Sequence, residues 1–152
     1  MPRTRPEVEA LVWAIDEEHA PLYWFPRDCP RVTFWTGAET AAATVERFLA
    51  HTAARRVHVI ESRWLERLRV CELFAYRFDA SPFERREDAD GHWVTYEAVE
   101  PLAVEPVGDL LTRHAAAAIE LRVTPSLWPL ADAVAASDLR FSMVRMANAA
   151  PR

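Results

Sequence analysis

Val12-Trp13-Ala14-Ile15-Asp16-Glu17-Glu18-His19-Ala20-Pro21-Leu22-Tyr23-Trp24-Phe25-Pro26-Arg27-Asp28-Cys29-Pro30-Arg31 runs from an apolar segment through three acids and a histidine to three aromatics, and closes on Arg-Asp-Cys between prolines. With Ala10 and Leu11, the first residues form a short strand, and Asp16 can cap a helical turn carrying Glu17 and Glu18. Pro21 cannot sit deep inside a helix, so a helix starts near Ala20 with Pro21 in its first turn, or the turn is irregular. Pro30 then opens a second strand, Val32 to Thr36, which Gly37 ends. Strand ends joined by tight turns are where sites get built.

Outward from this stretch, Glu39 to Leu49 reads as an amphipathic helix and Arg56 to Glu61 as an alternating strand. Ser62 caps a short helix, Arg63 to Arg67, with Trp64, Leu65 and Leu68 inward. Val70 to Phe78 alternates at period two and reads as a long central strand. Ser81 to Gly91 is polar and turn-rich, a mobile loop on this reading. His92 to Glu97 resumes strand character, and prolines 101 and 106 bracket an edge strand, Leu102 to Glu105. A helix over Val107 to Ala118 with Leu110, Leu111 and Ala115 inward leads to a strand, Ile119 to Val123. A helix, Ser126 to Ser137, and a strand, Phe141 to Met146, precede a frayed tail. The sum is a single α+β domain with a mixed, mostly antiparallel sheet and flanking helices.

A chain of 152 residues, 51% hydrophobic and 27% charged, suits one domain with a real core. Its net charge of −5 speaks against DNA binding by counterion release. No apolar stretch is long enough to span a bilayer and MPRTRPEVEA lacks a signal-peptide core, so a cytoplasmic protein without membrane contact is expected. All 18 Lys+Arg residues are arginine, which excludes lysine Schiff-base and phosphate-loop lysine chemistry. Cys29 and Cys71 sit in no metal-ligand spacing and read as small buried hydrophobes; no metal is expected.

Val12 to Arg31, Val57 to Trp64, Glu120 to Val134 and Phe141 to Arg152 together resemble a bacterial domain-of-unknown-function family marked by VWAIDEEHxPxYxxPRDCPR. That family begins with an additional Tyr-His strand, which would lie before this chain's Met1, so the native start is itself open. The longer pattern is similar in layout to ADP-ribosyltransferase-type folds. The resemblance implies a split sheet, NAD as ligand, and one glutamate that stabilises an oxocarbenium-like ribose.

Glu97 and Glu100 are the candidates for that glutamate; alternation points them to opposite faces of a regular strand, and a solvated edge explains both equally well. His19 is the candidate general base, with Asp16, Glu17 and Glu18 beside it, or a metal ligand in a small hydrolase with Asp16 and Glu18, the reading ranked last; helix capping is the plain reading of this group. Trp13, Tyr23, Arg27 and Arg31 are the candidates for holding a small-molecule or nucleotide ligand, NAD first. An aromatic face can stack on a base and a guanidinium fork suits phosphate. Arg27, Asp28 and Arg31 form one charge group on this reading, or an internal ion pair. Two of the three consecutive aromatics pack in the core. Trp13 and Trp128 also read as core, and His58 as a satisfied buried histidine. The alternative function is a noncatalytic, homodimeric interaction or ligand-binding module.

Overall fold

The computed structural model describes residues 11–152. Expectations about MPRTRPEVEA, and the strand residue Ala10, lie outside them. In chain order the strands are β1 Val12–Ile15, β2 Arg31–Trp35, β3 Arg56–Glu61, β4 Phe74–Arg77, β5 Glu84–Arg85, β6 His92–Thr95, β7 Ala103–Pro106, β8 Ile119–Thr124 and β9 Arg140–Val144. The α-helices are α1 Ala42–Leu49, α2 Leu65–Val70, α3 Leu110–Ala116 and α4 Trp128–Ala135. Helices and mixed sheets make this an α+β fold. Two compact units share the described residues: 11–21 with Phe74–Pro106, and Leu22–Leu73 with Val107–Arg152.

In the second unit four strands lie in the order β8-β3-β2-β9. β2 is antiparallel to β3 and β9, whereas β3 and β8 are parallel. Strand β3 is buried from Val57 to Glu61 because both faces of the sheet are covered. Alternation sends Val32, Phe34, Val57 and Val59 to one face, where they pack with Phe48 and Leu49 of α1 and Ala131 and Val134 of α4. On the other face Ile60 packs with Phe25, Cys29, Trp64, Leu68, Val107 and Leu110. Each fully buried aliphatic side chain here contributes about 1.5–3 kcal/mol. Helix α3 starts at Asp109, whose carboxylate accepts from Thr112 N at 2.7 Å. Pro129 occupies the first turn of α4, where its absent N–H costs nothing.

In the first unit β6 pairs with β1 and β5, both antiparallel, and β4 and β7 form a separate two-stranded ribbon. The ribbon corrects the reading of Val70 to Phe78 as a central strand. Helix α2 runs to Val70, strand begins only at Phe74, and all four residues of β4 are exposed. Trp64 and Leu68, four apart, anchor that helix in the core. The expected loop over Ser81 to Gly91 includes the short strand β5. A 3-10 helix over Ala20–Tyr23 fulfils the expectation of Pro21 in a first turn.

The tail after β9 is not frayed. Trp128 Nε1 donates to Ala150 O at 2.6 Å, Arg152 forks onto Asp132 at 3.0 Å, and Asn148 Nδ2 donates to Asp28 O at 2.8 Å. Among the described residues no helix is long and apolar enough to cross a membrane.

Candidate functional site

The site begins at Arg31, the first residue of β2, whose side chain shares the Ile60 face of the sheet. It is 3% exposed, a rare state for arginine without an acidic partner. Its Nε donates to Leu22 O at 3.0 Å and Nη1 to Cys29 O at 3.2 Å. Its guanidinium carbon lies 5.0 Å from the Phe25 ring centre and 5.5 Å from that of Tyr23. Among the described residues no carboxylate joins these contacts. Desolvation lowers the Arg31 pKa to about 10, so it stays cationic at neutral pH. A buried cation held by carbonyl dipoles and ring faces can still take an anion on its remaining donors. Tyr23, 45% exposed, is the solvent end of this cluster.

On β3, next to β2, His58 is completely buried and sits across from Thr33 in the register. Its Nδ1 lies 3.0 Å from His114 Nε2, and His114 Nδ1 lies 2.7 Å from Leu110 O. A carbonyl can only accept, so His114 Nδ1 carries the proton and its Nε2 is an acceptor. His58 must then donate from Nδ1, which leaves its own Nε2 as a bare lone pair. That atom is buried, and among the described residues no group pairs with it. Burial, and then the charge of His114, Arg56 and Arg31, push the His58 pKa well below the ordinary value. Burial lowers His114 as well. The Phe25 ring lies 5.3 Å from both imidazoles, walling the pair in apolar surface.

Glu61, at the end of β3, is wholly buried too. Arg63 Nε donates to it at 2.8 Å, and Ala150 N donates at 2.9 and 3.1 Å to its two oxygens. It ties down the C-terminal segment. Cys29 is fully buried and desolvation pushes its thiol up to about 12, which removes it as a nucleophile and fits the reading as a small hydrophobe.

Of the expected ligand-binding residues, the fold brings Tyr23 and Arg31 together. Arg27 and Asp28 are exposed, and their carbonyls accept from Arg145 and Asn148, so the expected Arg27, Asp28 and Arg31 charge group does not form. Alternation buries Arg31 while the Pro26–Pro30 turn projects the other two outward. His58 is buried as expected, but satisfied on one nitrogen only. Of the three consecutive aromatics, Phe25 and Trp24 pack in the core, as expected. His114 and Glu61 were missed. His114 carried a signal, since it lies three and four residues from the inner positions Leu111 and Leu110.

The remaining candidates belong to the first unit. His19 Nδ1 lies 2.7 Å from Asp16 Oδ1, which also accepts from His19 N at 2.9 Å. Burial alone would raise the Asp16 pKa, but the bonds from His19 outweigh it and hold it low. Asp16 is thus the cap that was expected. Gly91 closes against this pair at φ +71°, where a Cβ would lie 2.3 Å from His19 Cγ. Trp13 is 52% exposed rather than core, with Arg86 over its ring at 5.7 Å and His92 edge-on at 6.1 Å. Glu97 and Glu100 are exposed and lie past the end of β6, so the strand alternation expected of them does not apply. Among the described residues no group of three or more His, Cys, Asp or Glu could hold a metal ion.

A family model described as a family of unknown function (DUF6886) matches residues 1–149, and the chain belongs to that family. No curated protein and no solved structure matches it.

Proposed function

We propose that this member of a family without an assigned activity binds a small phosphate-bearing ligand of nucleotide type, NAD and ADP-ribose among the candidates. Arg31 anchors the phosphate and Tyr23 lends a ring face to the planar part of the ligand. The observation that carries this reading is the burial of the Arg31 guanidinium without a carboxylate. Taking a charge out of water costs several kcal/mol, and a ligand anion would offset it. The reading concerns binding in the second unit and does not draw on Glu97, Glu100 or His19.

Thermal unfolding with NAD, ADP-ribose, ADP and inorganic phosphate tests it. A ligand at 100 times its Kd adds about 2.7 kcal/mol, which raises the Tm of a chain this size by roughly 5–10 °C. The shift is expected with at least one of these and is expected to vanish in Arg31→Met. No shift with any of them sinks the reading.

One observation favours the second reading, an interaction module that pairs with its own copy. The β4–β7 ribbon places Phe74, Tyr76 and Val104 on one face, all at least half exposed. On that reading the solution mass rises with concentration and Tyr76→Ser returns it to the monomer value.

A further inference from the structure

We infer that His58 Nε2 is a second recognition point, accepting a hydrogen bond from a hydroxyl or N–H of the same ligand whose anionic group Arg31 holds. This rests on the Arg31 reading above. The ligand class narrows accordingly, from any small anion to a hydroxylated organic phosphate.

Two features of the chain support it. The relay Leu110 O, His114, His58 fixes the direction of both N–H groups, because a backbone carbonyl at its inner end cannot donate. His58 Nε2 is therefore an acceptor and never a donor while the pair is neutral, and burial keeps it neutral. A buried acceptor without a protein partner costs about as much as a lost hydrogen bond and is kept where something else fills it. The register then places that acceptor relative to Arg31. Arg31 stands across from Ile60 and Thr33 across from His58, so Arg31 and His58 are diagonal neighbours on one face. Such neighbours lie roughly 7–8 Å apart. That spacing is between backbone positions; at the side-chain tips the Phe25 ring stands 5.0 Å from the guanidinium carbon and 5.3 Å from the His58 ring, so a hydroxylated organic phosphate that reaches both passes along the Phe25 ring. Tyr23, at the exposed end of the cluster, marks the side from which such a molecule enters. Thr33 adds no competing donor, since its hydroxyl is spent on Ser142 O at 3.1 Å.

The test uses the whole chain with 15N-labelled histidine and two probes, methyl phosphate and ribose 5-phosphate. Long-range 1H–15N spectra of the free protein are expected to show His58 and His114 protonated at Nδ1 only. Ribose 5-phosphate is expected to bind roughly three- to tenfold tighter than methyl phosphate, the value of one net hydrogen bond. It is also expected to move the His58 Nε2 resonance, which methyl phosphate leaves in place. His58→Phe removes the difference between the probes while leaving methyl phosphate binding; should that variant not fold, the nitrogen spectra of the native chain decide alone. A protonated Nε2 in the free protein overturns the inference. Equal affinity for the two probes with an unmoved Nε2 overturns it too, and leaves the Arg31 reading standing. Binding of neither probe overturns both. An Nε2 that shifts equally with both probes responds to the phosphate they share and not to a hydroxyl, and this also overturns it.

Discussion

Arg31 can be either a clamp for the Leu22–Pro30 segment or an anchor for a ligand, and stability separates the two. As a clamp, its bonds to Leu22 O and Cys29 O hold the loop, and losing the two costs about 3–6 kcal/mol at roughly 1.5–3 kcal/mol for each hydrogen bond to a charged group. As an anchor, its desolvation nearly cancels those bonds. Arg31→Met keeps the packed volume, and the expected loss is no more than about 1 kcal/mol by urea unfolding, together with loss of ligand binding. His58 gives the pH dependence. Its folded pKa lies well below the unfolded value, so below about pH 6.5 the unfolded chain takes up a proton that the folded chain refuses. Its contribution is complete above that pH and falls as the solution is acidified. The expected slope is about 1.4 kcal/mol per pH unit below pH 6, with His114 adding in the same direction. Urea midpoints from pH 7.5 to 5 measure this, and a flat profile would mean that His58 is already charged in the fold.

At the scale of elements, the C-terminal segment depends on one carboxylate. Glu61 collects Ala150 N and Arg63 Nε, while Arg63 Nη2 reaches Asn148 O at 2.5 Å. Glu61→Gln turns the Arg63 ion pair into an ion–dipole bond and the Ala150 bond into a neutral one, and sets an amide N–H₂ against Ala150 N. The expected cost is about 2–3 kcal/mol. Faster hydrogen exchange is expected at Ala150, without change at Val57 or Val59 of β3. Elements with one continuous period were legible in the sequence: β2, β3, β8, α1, α3 and α4 fall within a few residues of their expected places. Val70 to Phe78 was not, because a helix end, a loop and a four-residue strand can together mimic one alternating strand. The tail was illegible for another reason. Its order comes from Glu61, Trp128 and Asp132, all distant in sequence, and no local pattern in MANAAPR records them. The candidate site was half legible for the same cause. Arg31 and Tyr23 lie in one unusual stretch, whereas His114 joins His58 only through the packing of α3 on the sheet.

For the whole molecule, the question is whether the second unit needs the segment Phe74–Pro106 to fold. The chain leaves and re-enters that unit at one place: Val107 N donates to Leu73 O at 2.8 Å. Leu68, Val107 and Leu110 belong to one buried cluster, with Leu73 packed against it. The parallel pairing of β3 with β8 is thus closed by α2, α3 and this cluster. The roughly thirty residues between enter the closure only as loop length, and replacing them by a four-residue turn removes three doublings, about 2 kcal/mol of closure entropy. A variant of Leu22–Leu73, a Gly-containing turn and Val107–Arg152 is expected to unfold in urea in one cooperative transition and to keep the Nδ1-protonated histidine pair. It retains both faces of the four-stranded sheet and about a hundred residues, enough for an independent core. A variant without a cooperative transition would instead make the 152 residues a single folding domain, the organisation their number first suggests.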